Sequence, residues 1–296
     1  MGIPRNKRDW LAFIQPDLLI NLTLRDLRSK YKRSVLGWTW SVLNPLVAVV
    51  VYSAVFSIFL RIEPSVGDPS GLDSYAVFLL VTLLPWQFHV TSLTEANRSI
   101  TANSSLITKI FFPRWVLPTS AVLARFLTLI VEMFVLLILI ALWEGHIAFQ
   151  WIPVVAALMI LQLLFTIGLA LIISAANVYF RDIQHFLMVA LQPWMFLTPI
   201  LYPLNLVPAD KEFLGISYRT LYQLNPMVSW AKAYRNVLYD LRFPSLERWL
   251  AILAATFIVL YLGFKIFNRL EPRMACLLYT SPSPRDRTRS RMPSSA

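Results

Sequence analysis

Residues 118–143 read PTSAVLARFLTLIVEMFVLLILIALW, and residues 151–176 read WIPVVAALMILQLLFTIGLALIISAA. A helix needs about 20 apolar residues to cross a hydrocarbon core of about 30 Å, and each of these runs supplies that length. Working outward, the same reading predicts spans at Trp38–Leu60, Tyr75–Glu95, Phe186–Tyr202 and Trp249–Asn268, which makes six with Pro118–Trp143 and Trp151–Ala176. Trp38, Trp40, Trp143, Trp151 and Trp249 fall at predicted span ends, where amphipathic rings sit among headgroups. The expected fold class is therefore an all-α integral membrane protein.

Composition agrees with a bilayer environment. The 296 residues are 57% hydrophobic and only 15% charged, with a mean hydropathy of +0.60, where soluble domains average roughly 25% charged. A net charge of +11 would suggest nucleic acid in a soluble protein. Here the basic residues crowd at the N-terminus and beside spans, where anionic lipid headgroups account for them better. A single cysteine, Cys276, precludes a disulfide within the chain. His89, His146 and His185 lie far apart and read as solitary polar side chains, so no metal site is expected.

Residues 16–33 place Ile20, Leu24, Leu27 and Tyr31 at helical spacing, with Arg25, Arg28 and Lys32 turned away. This predicts an amphipathic helix in the membrane interface, the alternative being a soluble surface helix. Lys and Arg crowd the N-terminal segment and the loop after span two (Arg98, Lys109, Arg114). The loop after span one carries only Arg61 against Glu63, Asp68 and Asp73, and the loop after span three carries none. The bias predicts both termini on the cytoplasmic side. In the long segment before the last span, Asn225–Tyr239 is apolar and aromatic enough to dip back into the membrane as re-entrant helices.

The predicted organisation is a cytoplasmic N-terminal segment with the interface helix (1–37), a transmembrane domain (38–268), a short cytoplasmic C-terminus (269–275) and a tail (276–296). The tail abandons all periodicity, and Cys276–Asp286 resembles the translation of a transposon-type sequencing adapter. It is set apart from the fold, although a natural disordered tail would have the same composition.

Chemistry of the catalytic kind is missing from the pattern. No Gly-Lys pair exists, so no phosphate-binding P-loop can form, and there is no G-x-S-x-G or H-E-x-x-H. The expectation is a non-enzymatic subunit with no cofactor of its own. Arg125 and Glu132 are the intramembrane charges of span three. Arg125 is close enough to the inner boundary to snorkel, leaving Glu132 either paired with a polar neighbour or acting as a proton relay.

The loop after span two reads NSSLITKIFFPRWVLP over residues 103–118. Asn103 or Ser104 can cap a short helix, Leu106, Ile107, Ile110 and Phe111 fall on one side, and Pro113 stops it. Such a cytoplasmic helix suits docking into a groove on another protein, or alternatively packing against the N-terminal helix.

Leu106-Ile107 with Lys109, followed by Phe112-Pro113-Arg114 and Leu117-Pro118, resembles the first cytoplasmic loop of type-two ABC exporter permeases. Further matches come in the same order: Gly37-Trp38, Asn44-Pro45, Arg181-Asp182, Thr198-Pro199-Ile200, Tyr202-Pro203, Asn225-Pro226 and Arg269-Leu270-Glu271-Pro272. The resemblance is strongest to the branch that exports O-antigen and teichoic acid polysaccharides.

It implies a homodimer working with two ABC ATP-binding subunits, which carry the ATP and Mg, in the cytoplasmic (inner) membrane. It also implies coupling through Leu106, Ile107, Lys109, Ile110, Phe111, Phe112 and Arg114 and through the turn at Arg181 and Asp182. For the latter pair a purely structural role at a span end is the alternative. The implied cargo is a lipid-linked polysaccharide, with no role for nucleic acid.

Sugars stack on aromatic rings, and Trp86, Phe88, Trp194, Phe196, Tyr202, Tyr222, Trp230 and Tyr234 could line their path; lipid-facing belts or core packing are the alternatives. A drug or lipid exporter of the same fold, a membrane-embedded enzyme of glycan assembly, and a secondary transporter are the rival functions.

Overall fold

A computed structural model describes residues 16–31, 34, 37, 39–59, 61, 66–109, 112–144, 149–203, 212–213, 216–217 and 222–279. Trp38, Ile110, Phe111 and His146 lie outside the described residues. The architecture is helical: α1 (Pro16–Tyr31), α2 (Thr39–Ser53, continued by a π-helical turn over Ala54–Phe59), α3 (Tyr75–Ala102), α4 (Ser104–Lys109) and α5 (Val116–Glu144). Then follow α6 (Ile152–Tyr179), α7 (Ile183–Phe196), α8 (Pro226–Leu238) and α9 (Leu246–Tyr279). Between α7 and α8 a two-residue antiparallel pair, Glu212–Phe213 with Ile216–Ser217, interrupts the otherwise helical chain.

Among the described residues four helices are long and apolar enough to cross a membrane: Tyr75–Ala102, Val116–Leu142, Ile152–Tyr179 and Leu246–Met274. The helix expected over Phe186–Tyr202 starts earlier and ends at Phe196. Its 14 residues reach only about 21 Å at 1.5 Å each. Proline explains the stop: Pro199 disfavours helical backbone at Thr198 and has no N–H to continue the ladder. Instead the Thr198 hydroxyl bonds back to the Trp194 carbonyl at 2.9 Å.

α3 is the most deeply buried of the four long helices and packs against both α5 and α6. α6 and α9 make the most extensive pairing in the fold. Their backbones touch where Gly168 meets Gly263. A Cβ at Gly168 would stand 2.7 Å from the Val259 carbonyl oxygen and 2.8 Å from Leu260 Cα. Close approach through small residues is how helices associate in lipid, where apolar burial alone does not favour protein over acyl chains.

α1 lies along α5. Its expected stripe divides: Leu27 is buried, but Ile20 and Leu24 face outward, 56% and 37% exposed. The protein-facing side is formed by Leu22, Thr23 and Leu27 with partly buried Leu18 and Leu19. The apolar arc is thus wider than one contact, and α5 takes only part of it. Asp17 in the first turn and Arg28 and Lys30 in the last match the helix dipole.

The candidate coupling face and the buried polar network

Asn103 turns the chain from α3 into α4. Its carbonyl accepts the N–H groups of Leu106 at 3.0 Å and Ile107 at 3.2 Å, while its side-chain amide donates to the Ser99 carbonyl at 2.7 Å. On the short α4, Lys109 is exposed and Leu106 half-buried, whereas Ile107 and Phe112 are buried in the chain's own core. Part of the apolar side expected to face a partner therefore anchors the loop. It packs on α9.

Arg114 makes that anchorage specific. Its backbone N–H donates to Glu271 Oε1 at 3.1 Å and its Nη1 to the Glu271 carbonyl at 2.6 Å. Beside it, the Tyr179 hydroxyl donates to the Leu270 carbonyl at 2.8 Å, and the Trp115 and Phe264 rings meet edge to face. The structure thus brings the 112–114 loop, the end of α6 and the 264–271 stretch of α9 to one end of the bundle. Arg181 and Asp182, at the adjoining α6–α7 turn, are both exposed, and no ion pair joins them. Exposed Phe180 precedes them and carried no signal in the sequence.

Within the spans, Arg125 does not simply snorkel: its guanidinium grips both carboxylate oxygens of Glu95 across the α3–α5 interface. Glu95 was missed because it sits at the predicted end of span two, where a charge is unremarkable. Glu132 instead borders an apolar groove with Leu46, Leu80 and Leu84 and, among the described residues, takes part in no hydrogen bond. Among the described residues no polar neighbour bonds to it, and the charges of Lys30 and Arg125 act on it from a distance.

The aromatic residues divide into two groups. Trp86, Phe88, Trp230 and Tyr234 are buried inside the protomer, with Trp86 edge-on to Trp194 at 5.8 Å, Phe88 against Phe126 at 5.9 Å and Trp230 against Phe165 at 4.8 Å. They hold α3, α6 and α8 together around a polar thread. Tyr234 donates to Gln162 Oε1 at 2.9 Å, Gln162 donates to the Pro85 carbonyl at 2.9 Å, and His89 Nδ1 lies 2.9 Å from the Thr166 hydroxyl. Phe196, Tyr202 and Tyr222 gather at the end of α7, both phenols bonding to the Phe196 carbonyl.

Sequence reasoning missed Gln162, Thr166 and Arg235. Arg235 lies over the Phe78 ring at 3.7 Å and donates to the Ile200 carbonyl at 2.7 Å. Asn225, noted only as part of a motif, receives the Trp194 indole N–H at 3.0 Å and caps α8 through the Met227 N–H at 3.1 Å. A polar residue within an aromatic run is the signal that could have found them.

Among the described residues no cluster of His, Cys, Asp or Glu could hold a metal. Arg125 and Glu95 fasten α5 to α3, and Arg114 ties the 112–114 loop to α9.

Residues 17–239 match the ABC-2 type transporter family. This chain belongs to that family. The O-antigen export system permease protein RfbA of Myxococcus xanthus is 33% identical over 255 residues, spanning 85% of this chain and 91% of that protein. RfbA of Klebsiella pneumoniae is 31% identical over 262 residues, 88% and 95% of the two chains. The polysialic acid transport protein KpsM of Escherichia coli is 25% identical over 261 residues, 86% and 93% of the two.

As an ABC-2 transporter protein the chain is a multi-pass membrane protein, and its motif residues acquire physical roles. Thr198 and Asn225, from two separate motifs, meet at 3.1 Å, and Arg114 and Glu271, from two others, tie the loop before α5 to α9.

Proposed function

We infer that this chain is the permease subunit of an ABC exporter for a polysaccharide such as O-antigen, driven by ATP hydrolysis on a separate subunit. The observation that carries the reading is the tied loop around α4 in an ABC-2 chain whose matched relatives are named as O-antigen and polysialic acid transport proteins. The chain has the parts of a conduit and none of an ATPase, since no P-loop occurs in its sequence. MgATP chemistry is assigned to the partner.

Two copies would form the path. α2 and α7 would complete six crossings; exposed Val50, Val51, Ile58, Phe186 and Val189 suit a membrane or a second protomer. α8 would be re-entrant, and α1 would lie in the cytoplasmic interface with both termini on that side of the inner membrane. The transmembrane domain would run over residues 38–268, with 276–296 apart from it. Leu106, Lys109, Phe111, Arg181 and Asp182 would meet the ATP-binding subunit, and Phe196, Tyr202 and Tyr222 are the aromatic rings most open to cargo.

The test is copurification of the chain with the ATP-binding protein encoded beside it, followed by ATPase assays in lipid for wild type, Leu106→Asp and Phe111→Asp. A complex whose assembly or activity falls in those variants supports the reading. A folded chain that captures no ATPase removes the energy source and overturns it.

A further inference from the structure

Under α1, where its C-terminal half meets the ends of α3 and α5, a cavity of about 310 Å³ opens. That is far above the roughly 10–15 Å³ that admits a single water. Its charged and polar lining includes Asp26, Lys30, Glu95, Arg98, Asn103 and Arg125.

The two carboxylates are matched within the protein. Asp26 bonds to Arg25 at 2.8 Å and accepts the Ser120 hydroxyl at 3.3 Å, and Glu95 is gripped by Arg125. Lys30 and Arg98 add positive charge to the same space, and the field of Lys30 also reaches Glu132. Leu27, Ala121 and Ala124 supply an apolar wall beside these groups. The lining thus combines three basic side chains, Lys30, Arg98 and Arg125, with apolar ones.

We propose that this cavity binds the phosphate-bearing headgroup of a bilayer lipid. The depth is right if α1 is interfacial: Ile20 and Leu24 form an exposed apolar patch, and the exposed Arg28, one turn beyond Leu24, and Arg25 flank it as they would at the level of headgroups. Guanidinium and ammonium donors are the usual partners of phosphate oxygens, and basic residues at a membrane surface favour anionic lipid. The apolar wall accommodates the first methylenes of the acyl chains.

Position gives the site a consequence. Asn103 lines the cavity and its carbonyl starts α4, so a bound headgroup braces the α3–α4 turn from beneath. This regulatory consequence rests on the exporter reading, in which α4 is the coupling helix; the binding itself does not.

The experiment titrates the purified full-length chain with phosphatidylglycerol by native mass spectrometry, comparing wild type with Lys30→Gln, Arg98→Gln and Arg98→Lys. Diacylglycerol, which lacks phosphate, serves as control, and thermal unfolding establishes that each variant is folded. Loss of one basic contact is expected to weaken phosphatidylglycerol binding about fivefold, with Arg98→Lys close to wild type and diacylglycerol insensitive to all three. Equal affinity in wild type and both glutamine variants overturns the site. Displacement by inorganic phosphate at concentrations equal to the lipid overturns the lipid source in favour of a soluble phosphate ligand. Neither result depends on whether an ATPase binds, so failure here is distinct from failure of the exporter reading.

Discussion

Glu271 on α9 receives two hydrogen bonds from Arg114, one to its side chain from the backbone N–H and one to its carbonyl from the guanidinium. The residues are 157 positions apart, so the contact ties the loop before α5 to the far end of the chain's last long helix. Arg114→Ala removes the guanidinium bond and is expected to cost about 1.5 kcal/mol, the range for a bond with a charged partner. Glu271→Gln keeps an acceptor for the Arg114 N–H and should stay near wild type. Thermal unfolding in detergent checks the order, and ATPase stimulation by cargo should fall in Arg114→Ala alone.

Arg125 and Glu95 join α5 to α3 with side chains 17% and 41% exposed. The pair is therefore intermediate between a surface bridge and a buried one, with a coupling of about 1–3 kcal/mol. Arg125→Gln and Glu95→Gln should each destabilise, and the double variant should lose less than the sum. A double-mutant cycle on unfolding free energy measures this; strict additivity would show that the two side chains do not interact.

Gly168→Ala and Gly263→Ala insert a methyl group where the other helix's backbone already lies. Backbone cannot swing aside as a flexible side chain can, so each should cost about 1–3 kcal/mol and separate α6 from α9. The drop in melting temperature and faster proteolysis between the two helices are the measurements. Wild-type stability in both variants would remove the close crossing.

Asn225 serves four partners at once, capping α8, accepting from Trp194 and donating to the Leu197 carbonyl and the Thr198 hydroxyl, both at 3.1 Å. Asn225→Ala loses all four and should cost about 2–3 kcal/mol. Asn225→Ser keeps a capping oxygen but is too short to bridge to α7, and should fall between alanine and wild type. Trp194 fluorescence, shifted when its indole loses the acceptor, reports the break directly.

The amino-acid pattern by itself determined the membrane class, four long apolar helices among the six expected spans, and the short helix after Asn103, because run length and helical spacing are local properties. It also located α8, where Asn225-Pro226 is a start signal readable from adjacent residues. The end of α7 was misread over residues 197–202, since apolar composition continued past Phe196 while Pro199 had already stopped the backbone ladder.

Which partners the polar groups chose was decided by tertiary structure alone. Arg125 could have snorkelled or turned to Glu132 on its own helix, but the neighbouring span set Glu95 within its reach. Ile107 and Phe112 read as knobs for a partner until α9 was found beside α4. Trp86, Trp230 and Tyr234 could have faced lipid, cargo or core by composition, and α3, α6 and α8 closed around them. Periodicity reports which side of a helix is apolar, whereas only packing decides whether that side meets lipid, another helix or a second protein.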